Sequence, residues 1–112
     1  MNTNQYTNMQ INFYDQYASR WNINNRDPVV GSFDQHNDWK DYKDFLFKDC
    51  SNFNSCLDFG CGPGRNIVAF NSLFNQFDGV DISQINLNNA ALWIEHNKPV
   101  SYTHLTLPTI LL

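Results

Sequence analysis

Three glycines, Gly60, Gly62 and Gly64, stand between a short apolar run and a segment with helical apolar spacing. The run at 55–59 has the length of a buried parallel strand, and 65–74 repeats apolar residues every three or four positions. Glycine lets the backbone turn tightly and approach a ligand closely, and a helix N-terminus presents free N–H groups to it. The pattern therefore predicts a strand–turn–helix unit with a ligand at the turn.

The chain after this unit repeats the same order of elements. An apolar run at 77–82 predicts a second strand, and another helix should follow to about His96. Ser83 stands where a serine oxygen can accept from the free N–H groups of the first helical turn. The order strand, helix, strand, helix predicts a parallel sheet with right-handed crossovers. Three large side chains of the second of these helices are expected to face the sheet: Ile85, Leu92 and Trp93.

Aromatic residues at helical spacing precede the first strand. Large side chains recur at three- and four-residue steps over 11–21, which predicts a helix, and a second helix is expected over 38–48. Asn, Asp, Gly and Pro predict a loop at 22–37, and the polar residues 1–10 are expected to be disordered. The side chains expected to face inward are Phe13, Tyr14, Tyr17, Ala18, Trp21, Trp39, Tyr42, Phe45 and Leu46.

Two acidic residues accompany the glycines and narrow the class of ligand. Asp58 lies near the end of the first strand, where a carboxylate repels a pyrophosphate but suits the ammonium and sulfonium of S-adenosylmethionine (SAM). Asp81 ends the second strand 23 positions later, where it can accept from both ribose hydroxyls. The G-x-G-x-G spacing also differs from the G-x-G-x-x-G of dinucleotide-binding turns. An oxidoreductase with a nicotinamide cofactor remains an alternative.

The segments LDFGCGPGRN and FDGVDIS resemble motif I and the following acidic strand end of class I SAM-dependent methyltransferases. The resemblance covers residues 11–97 and implies an α/β, Rossmann-like fold with a truncated parallel sheet and N-terminal cap helices. It implies SAM as the cofactor and a small-molecule methyl acceptor. A non-catalytic SAM-binding protein of the same fold is a further alternative. The residues implied to bind SAM are Asp58, Gly60, Cys61, Gly62 and Gly64 at the methionine part, Asp81 at the ribose and Ile82 at the adenine.

The segment FYDQYASRW resembles the N-terminal cap helix of small-molecule methyltransferases. By that resemblance, Tyr14, Tyr17 or Arg20 would close over the carboxylate of SAM. An aromatic stripe at helical spacing is equally typical of a helix that packs on a core. The sequence leaves both interpretations open.

Charge and cysteine content exclude several other classes of function. The net charge is −4, and the seven Lys and Arg are scattered, which argues against a nucleic-acid binder. No apolar run approaches the roughly 20 residues of a membrane span. Three cysteines without a CxxC pair predict a cytoplasmic protein without a metal site. Cys61 is expected to be a small packing residue, since no base is near it in sequence.

The last segment, 100–112, differs in composition from everything before it. Thr and Leu alternate, and Val100 to Thr109 match the translation of a transposon-type sequencing adapter. We expect the natural sequence to end near Pro99, with read-through of adapter DNA after it, although a third strand of the fold is also due here. Only two genuine strands would then remain, and the methyltransferase domain would be present as 11–99 without its catalytic residues. Such a chain is expected neither to fold stably nor to methylate an acceptor.

Overall fold

The computed structural model describes residues 2–24, 43–97 and 102–108, whose main elements are three helices and one parallel sheet. A 3-10 turn, Asn71–Leu73, extends the second helix. The elements, in chain order, are α1 (Thr3–Ala18), β1 (Ser55–Phe59), α2 (Arg65–Phe70), β2 (Gln76–Val80), α3 (Gln84–Asn97) and β3 (Tyr102–Thr106).

The sheet has the strand order β1-β2-β3, and both pairs of neighbouring strands are parallel. Ser55 pairs with Gln76 and Phe59 with Val80, so β1 and β2 end together at one edge. The predicted α/β fold with a parallel sheet is confirmed, and β1 has the predicted bounds. β2 starts one residue earlier than predicted and stops at Val80. Asp81 follows it: its N–H donates to the carbonyl of Thr106 in β3, and its side chain accepts from the following turn.

The third strand lies inside the segment that resembles translated adapter DNA. β3 pairs along β2 from Gln76–Tyr102 to Val80–Thr106. The described chain therefore has three strands, where only two native ones were expected, because alternating Thr and Leu favour a strand. The origin of residues 100–112 stays a prediction, since strand geometry carries no information about the DNA behind it.

The first helix starts earlier than its apolar pattern suggests. A capping box closes its N-terminus: Gln5 N–H donates to Asn2 Oδ1 (2.9 Å), and Asn2 N–H donates to Gln5 Oε1 (2.8 Å). These bonds satisfy N–H groups that the helix leaves free. Residues 3–10 are helical, contrary to the predicted disorder, and the helix ends at Ala18 before the predicted Trp21.

The predicted aromatic faces are only partly buried. In the first helix Ala18 and Trp21 are buried, whereas Phe13 and Tyr14 are 52% and 45% exposed. The predicted loop at 22–37 lies largely outside the described residues, as do residues 38–42 of the predicted helix at 38–48, with Trp39 and Tyr42. Residues 43–46 are helical. There the inward prediction for Phe45 and Leu46 is wrong, because both are exposed. Phe47 packs inward in their place: its ring centroid lies 5.1 Å from that of Phe70 and 5.4 Å from that of Phe74.

The core lies between one face of the sheet and the helices α2 and α3. Leu87, Ala90 and Ile94 of α3 are buried there, whereas Leu92 is exposed and Ile85 and Trp93 are only half-buried. The predicted inward face of α3 is therefore wrong at Leu92, because the helix turns Ala90 toward the glycine turn. The core residues are Cys61, Ile67, Phe70, Phe74, Phe77, Leu87, Ala90 and Ile94.

Gly79 in the middle of β2 allows α2 to approach the sheet closely. A Cβ atom at this position would lie 2.9 Å from Ile67 Cδ1, 3.0 Å from Cys61 Sγ and 2.8 Å from Leu105 Cδ2. Contacts this short require the neighbours to move. The opposite face of the sheet is open at β1, where Leu57 and Phe59 are 60% and 72% exposed.

Candidate functional site

The glycine turn joins the carboxyl ends of β1 and β2. The N–H groups of Gly60 and Cys61 both donate to the carbonyl of Val80, at 2.7 and 2.9 Å. Gly60, Gly62 and Gly64 have φ values of +78°, +55° and +83°, a left-handed region that side chains with a Cβ rarely adopt. Three glycines in alternation therefore give a turn that other residues would strain.

Gly64 has a second role at the start of α2. It occupies the N-cap position, and a Cβ atom there would lie 3.1 Å from the Cβ of Ala90 in α3. The turn, α2 and α3 thus pack as one unit.

Asp81 is the centre of a hydrogen-bond network at the end of β2. Its side chain is buried, with 8% of the residue exposed. Oδ2 accepts from the N–H of Gly62 at 2.8 Å, and Oδ1 accepts from the N–H of Ser83 at 2.9 Å and from Asn86 Nδ2 at 3.4 Å. A carboxylate has roughly four acceptor positions. Asp81 is therefore held in place while it keeps capacity for a ligand hydroxyl.

Asp58 is a half-buried carboxyl group beside the same turn. Burial raises its pKa above the ordinary value of 3.8, and the charge of Asp81 adds to that, whereas Asn66 and Arg65 lower it. Its Oδ2 is buried and has no hydrogen-bond partner among the residues that the structure describes. A buried carboxylate oxygen without a partner is costly, and a cationic ligand group would satisfy it.

A cavity of about 240 Å³ opens at the carboxyl ends of β1 and β2. This edge of an open parallel sheet is where such folds bind ligands. Its volume is below the roughly 300–1,000 Å³ of drug-sized ligand sites, so it fits one moiety of a larger ligand. Its lining residues are Tyr14, Phe59, Gly60, Val80, Asp81, Ile82 and Pro108.

Four of the ten residues predicted to bind SAM line this cavity, namely Tyr14, Gly60, Asp81 and Ile82. Tyr17 contacts Phe13, with ring centroids 5.0 Å apart, and the guanidinium carbon of Arg20 lies 5.4 Å from the centroid of Tyr17. Neither lines the cavity. Asp58 lies on a second cavity of about 280 Å³, together with Asn66 and apolar side chains such as Phe70. The two carboxylates of the predicted site, Asp58 and Asp81, thus line separate cavities.

Cys61 lies in the turn but has no reactive thiol. The residue is buried, and burial raises the pKa of its thiol to about 12, with the charges of Asp81 and Asp58 adding to the effect. Its Sγ lies 3.6 Å from the carbonyl oxygen of Gly62. A thiol that stays protonated at neutral pH is a poor nucleophile. Within the described residues, no group of three His, Cys, Asp or Glu side chains is arranged to hold a metal ion.

Contacts between α1 and α3 were not predicted from the sequence. The hydroxyl of Ser83 hydrogen-bonds to Asp15 Oδ1, and Asn89 Nδ2 donates to the carbonyl of Ala18 at 2.8 Å. The partners are far apart in the chain, and each residue type is also common on protein surfaces. Only the capping role of Ser83 had a local signal, and its Oγ does accept from the N–H of Asn86 at 3.1 Å.

No known protein-family pattern matches the chain, and no curated protein matches it. Two solved structures are similar. A SAM-dependent methyltransferase from Clostridium acetobutylicum is 22% identical over 87% of this chain and 37% of its own, with a TM-score of 0.58. The YcgJ protein from Bacillus subtilis is 21% identical over 58% of this chain and 28% of its own, with a TM-score of 0.50.

These likenesses show that the chain has a Rossmann-like α/β fold. The chain spans less than two fifths of either structure that it matches. Across residues 2–24, 43–97 and 102–108, no helix combines the length and the apolar character needed to cross a membrane.

Proposed function

We propose that this chain binds SAM and forms the cofactor-binding part of a SAM-dependent methyltransferase. One observation carries the proposal: two carboxylates, Asp58 and Asp81, flank a turn of left-handed glycines at the carboxyl ends of neighbouring parallel strands. The unpartnered oxygen of Asp58 fits a ligand with a positive charge. A dinucleotide would bring a pyrophosphate to the same place, where this carboxylate would repel it.

The parts of SAM are assigned by the chemistry of the residues around the turn. Asp58 would hold the cationic amino-acid end, and the backbone of the glycine turn would lie against it. Asp81 would accept from a ribose hydroxyl, since among the described residues Oδ2 accepts only from Gly62 and keeps one acceptor position. Ile82 would pack on the adenine, and Tyr14 from α1 would form the wall of that cavity. Tyr17 and Arg20, farther along α1, are proposed to reach the carboxylate of SAM.

SAM would supply a methyl group on a sulfonium, which an acceptor with a lone pair takes by in-line displacement. The new bond joins the acceptor to the methyl carbon, and the carbon–sulfur bond breaks with its electrons going to sulfur. Catalysis of this kind depends largely on the positioning of two reactants. The chain's own contribution is to bind and orient the cofactor, and the modest charge of −4 favours a small-molecule acceptor over a nucleic acid.

A titration followed by two-dimensional NMR of the ¹⁵N-labelled 112-residue chain tests the proposal. We expect SAM to shift the amide signals of the glycine turn, and NAD to shift them only at far higher concentration. Asp81→Ala should weaken SAM binding by about 10- to 150-fold, because hydrogen bonds to a charged group contribute about 1.5–3 kcal/mol. Because the apparent dissociation constant rises as the folded fraction falls, each value is corrected by the folded fraction from the same spectra.

Asp78→Ala is the matched control, since Asp78 lies in the middle of β2 and lines neither cavity, and its carboxylate accepts from Gln76 Nε2. It should bind SAM as the unmodified chain does. Equal affinities for the two variants would refute the ribose assignment. Tighter binding of NAD than of SAM would replace the proposal with a nicotinamide-dependent enzyme.

A further inference from the structure

The helix α1 is joined to α3 by polar groups that are themselves buried. Ser83 is fully buried and hydrogen-bonds to Asp15, and Asn89 is 8% exposed and donates to the carbonyl of Ala18. A buried polar group that loses its partner has a high free-energy cost. These two contacts therefore set where α1 lies, one in its last turn and the other at its end.

Ser83 connects α1 with the carboxylate of the candidate site. Its N–H donates to Asp81 Oδ1 at 2.9 Å, and its Oγ accepts from the N–H of Asn86 at 3.1 Å. The hydroxyl has one proton, and Asp15 as a carboxylate can only accept. The proton of Ser83 therefore points to Asp15, and one residue holds α1, the start of α3 and Asp81 together.

Tyr14 lines the cavity that contains Asp81 and Ile82, although 45% of it is exposed. Packing against the core therefore does little to keep its ring there. Its position follows from the backbone of α1, and the adjacent residue, Asp15, bonds that stretch of the helix to the site. The bond at Ala18 acts a full turn away from Tyr14.

We propose that Asp15 is a positioning residue, which holds Tyr14 against the bound cofactor through its hydrogen bond to Ser83. This inference rests on the proposed function, since the occupant of the cavity is taken to be SAM. Asp15 itself does not touch the ligand. Its loss would leave the glycine turn and Asp81 intact. Tyr14, which forms the α1 side of the cavity, would no longer be held in place.

The test compares variants of the 112-residue chain by the NMR titration with SAM, corrected for the folded fraction. Asp15→Ala should weaken SAM binding on the order of tenfold, mainly through faster dissociation. Asp15→Asn should bind nearly as the unmodified chain, because the amide oxygen still accepts from Ser83. Gln16→Ala, at an exposed neighbouring position on α1, is the control and should change nothing.

A double-mutant cycle separates positioning from a loss of stability. If Asp15 acts through Tyr14, adding Asp15→Ala to Tyr14→Ala should weaken binding no further, whereas independent effects would add. Additive effects, failure of Asp15→Asn to preserve binding, or an Asp15→Ala variant with unchanged affinity would each overturn the inference. If the unmodified chain itself does not bind SAM, the proposed function fails. If it binds and only Asp81→Ala weakens binding, the function stands and the role of Asp15 is refuted.

Discussion

Replacing Gly64 by alanine should separate the two roles that this glycine has in the turn. The residue has a φ of +83°, so alanine would adopt a left-handed backbone. The new Cβ would also lie 3.1 Å from the Cβ and 3.4 Å from the Cα of Ala90, which is fully buried. A methyl group on a packed helix cannot rotate away, so α3 itself would have to shift.

The expected cost follows from these two terms. A left-handed conformation costs an alanine roughly 1–2 kcal/mol, and overpacking a filled core costs about 1–3 kcal/mol. Gly64→Ala should therefore lower the free energy of unfolding by about 2–5 kcal/mol. Gly62 has a φ of +55°, and a Cβ there meets no described atom within 4 Å. Gly62→Ala should show only the first term, about 1–2 kcal/mol.

Urea denaturation followed by circular dichroism measures the free energy of unfolding of both variants. Trimethylamine oxide is added so that the less stable variant is folded at the start of the titration. Alanine also lowers the conformational entropy of the unfolded chain, but this effect is common to both variants and cancels in the difference between their free energies of unfolding. The double variant Gly64→Ala with Ala90→Gly should recover part of the loss, although glycine within α3 costs about 1 kcal/mol by itself. If Gly64→Ala is no less stable than Gly62→Ala, the close contact between the turn and α3 does not constrain the fold.

Four further measurements examine other parts of the chain. At pH 8, a brief treatment with iodoacetamide should modify the exposed Cys50 and leave Cys61 unmodified by mass spectrometry, because burial raises the pKa of Cys61 to about 12. Burial raises the pKa of Asp58 above 3.8, so the folded state loses stability as the pH rises through the folded-state pKa and the carboxyl ionises. Asp58→Asn removes this cost. It should therefore unfold at a higher urea concentration than the unmodified chain at pH 7, but not at pH 3. Asn2→Ala removes half of the capping box and should lower the helix's local stability by about 1 kcal/mol, seen as faster amide hydrogen exchange in the first turn of α1. Sequencing the gene should show adapter DNA in the frame of 100–112; its absence would make these residues native.

The sequence predicts best the elements whose ends are set by local backbone requirements. The glycine turn ends β1 and starts α2, and Ser83 starts α3, because positive φ and capping are local requirements. The inward faces were harder to predict. Large side chains such as Leu92 suggest a buried face, but the rotation of α3 depends on how Ala90 meets the turn, which is a contact between distant parts of the chain.

In the candidate site, too, local features were predicted and contacts between distant parts of the chain were not. Asp58 and Asp81 were predicted from their places at strand ends, and the parallel register brings those ends together. The bond from the N–H of Gly62 to Asp81 and the bond from Ser83 to Asp15 have no sequence signal. They depend on the conformation of the turn and on where α1 packs. The sequence alone does not indicate which of the many acceptors each donor will meet.

Gly79 has a consequence for how this chain can vary. A Cβ at that position would lie 2.9 Å from Ile67 Cδ1 and 3.0 Å from Cys61 Sγ, besides 2.8 Å from Leu105 Cδ2, so the residue volumes at 79, 67 and 61 are linked. A lineage that acquires alanine at 79 is expected to carry a smaller residue at 67 or 61 as well. An alignment of true homologues would then record these positions as covarying, although none of the three needs to touch a ligand for that to happen.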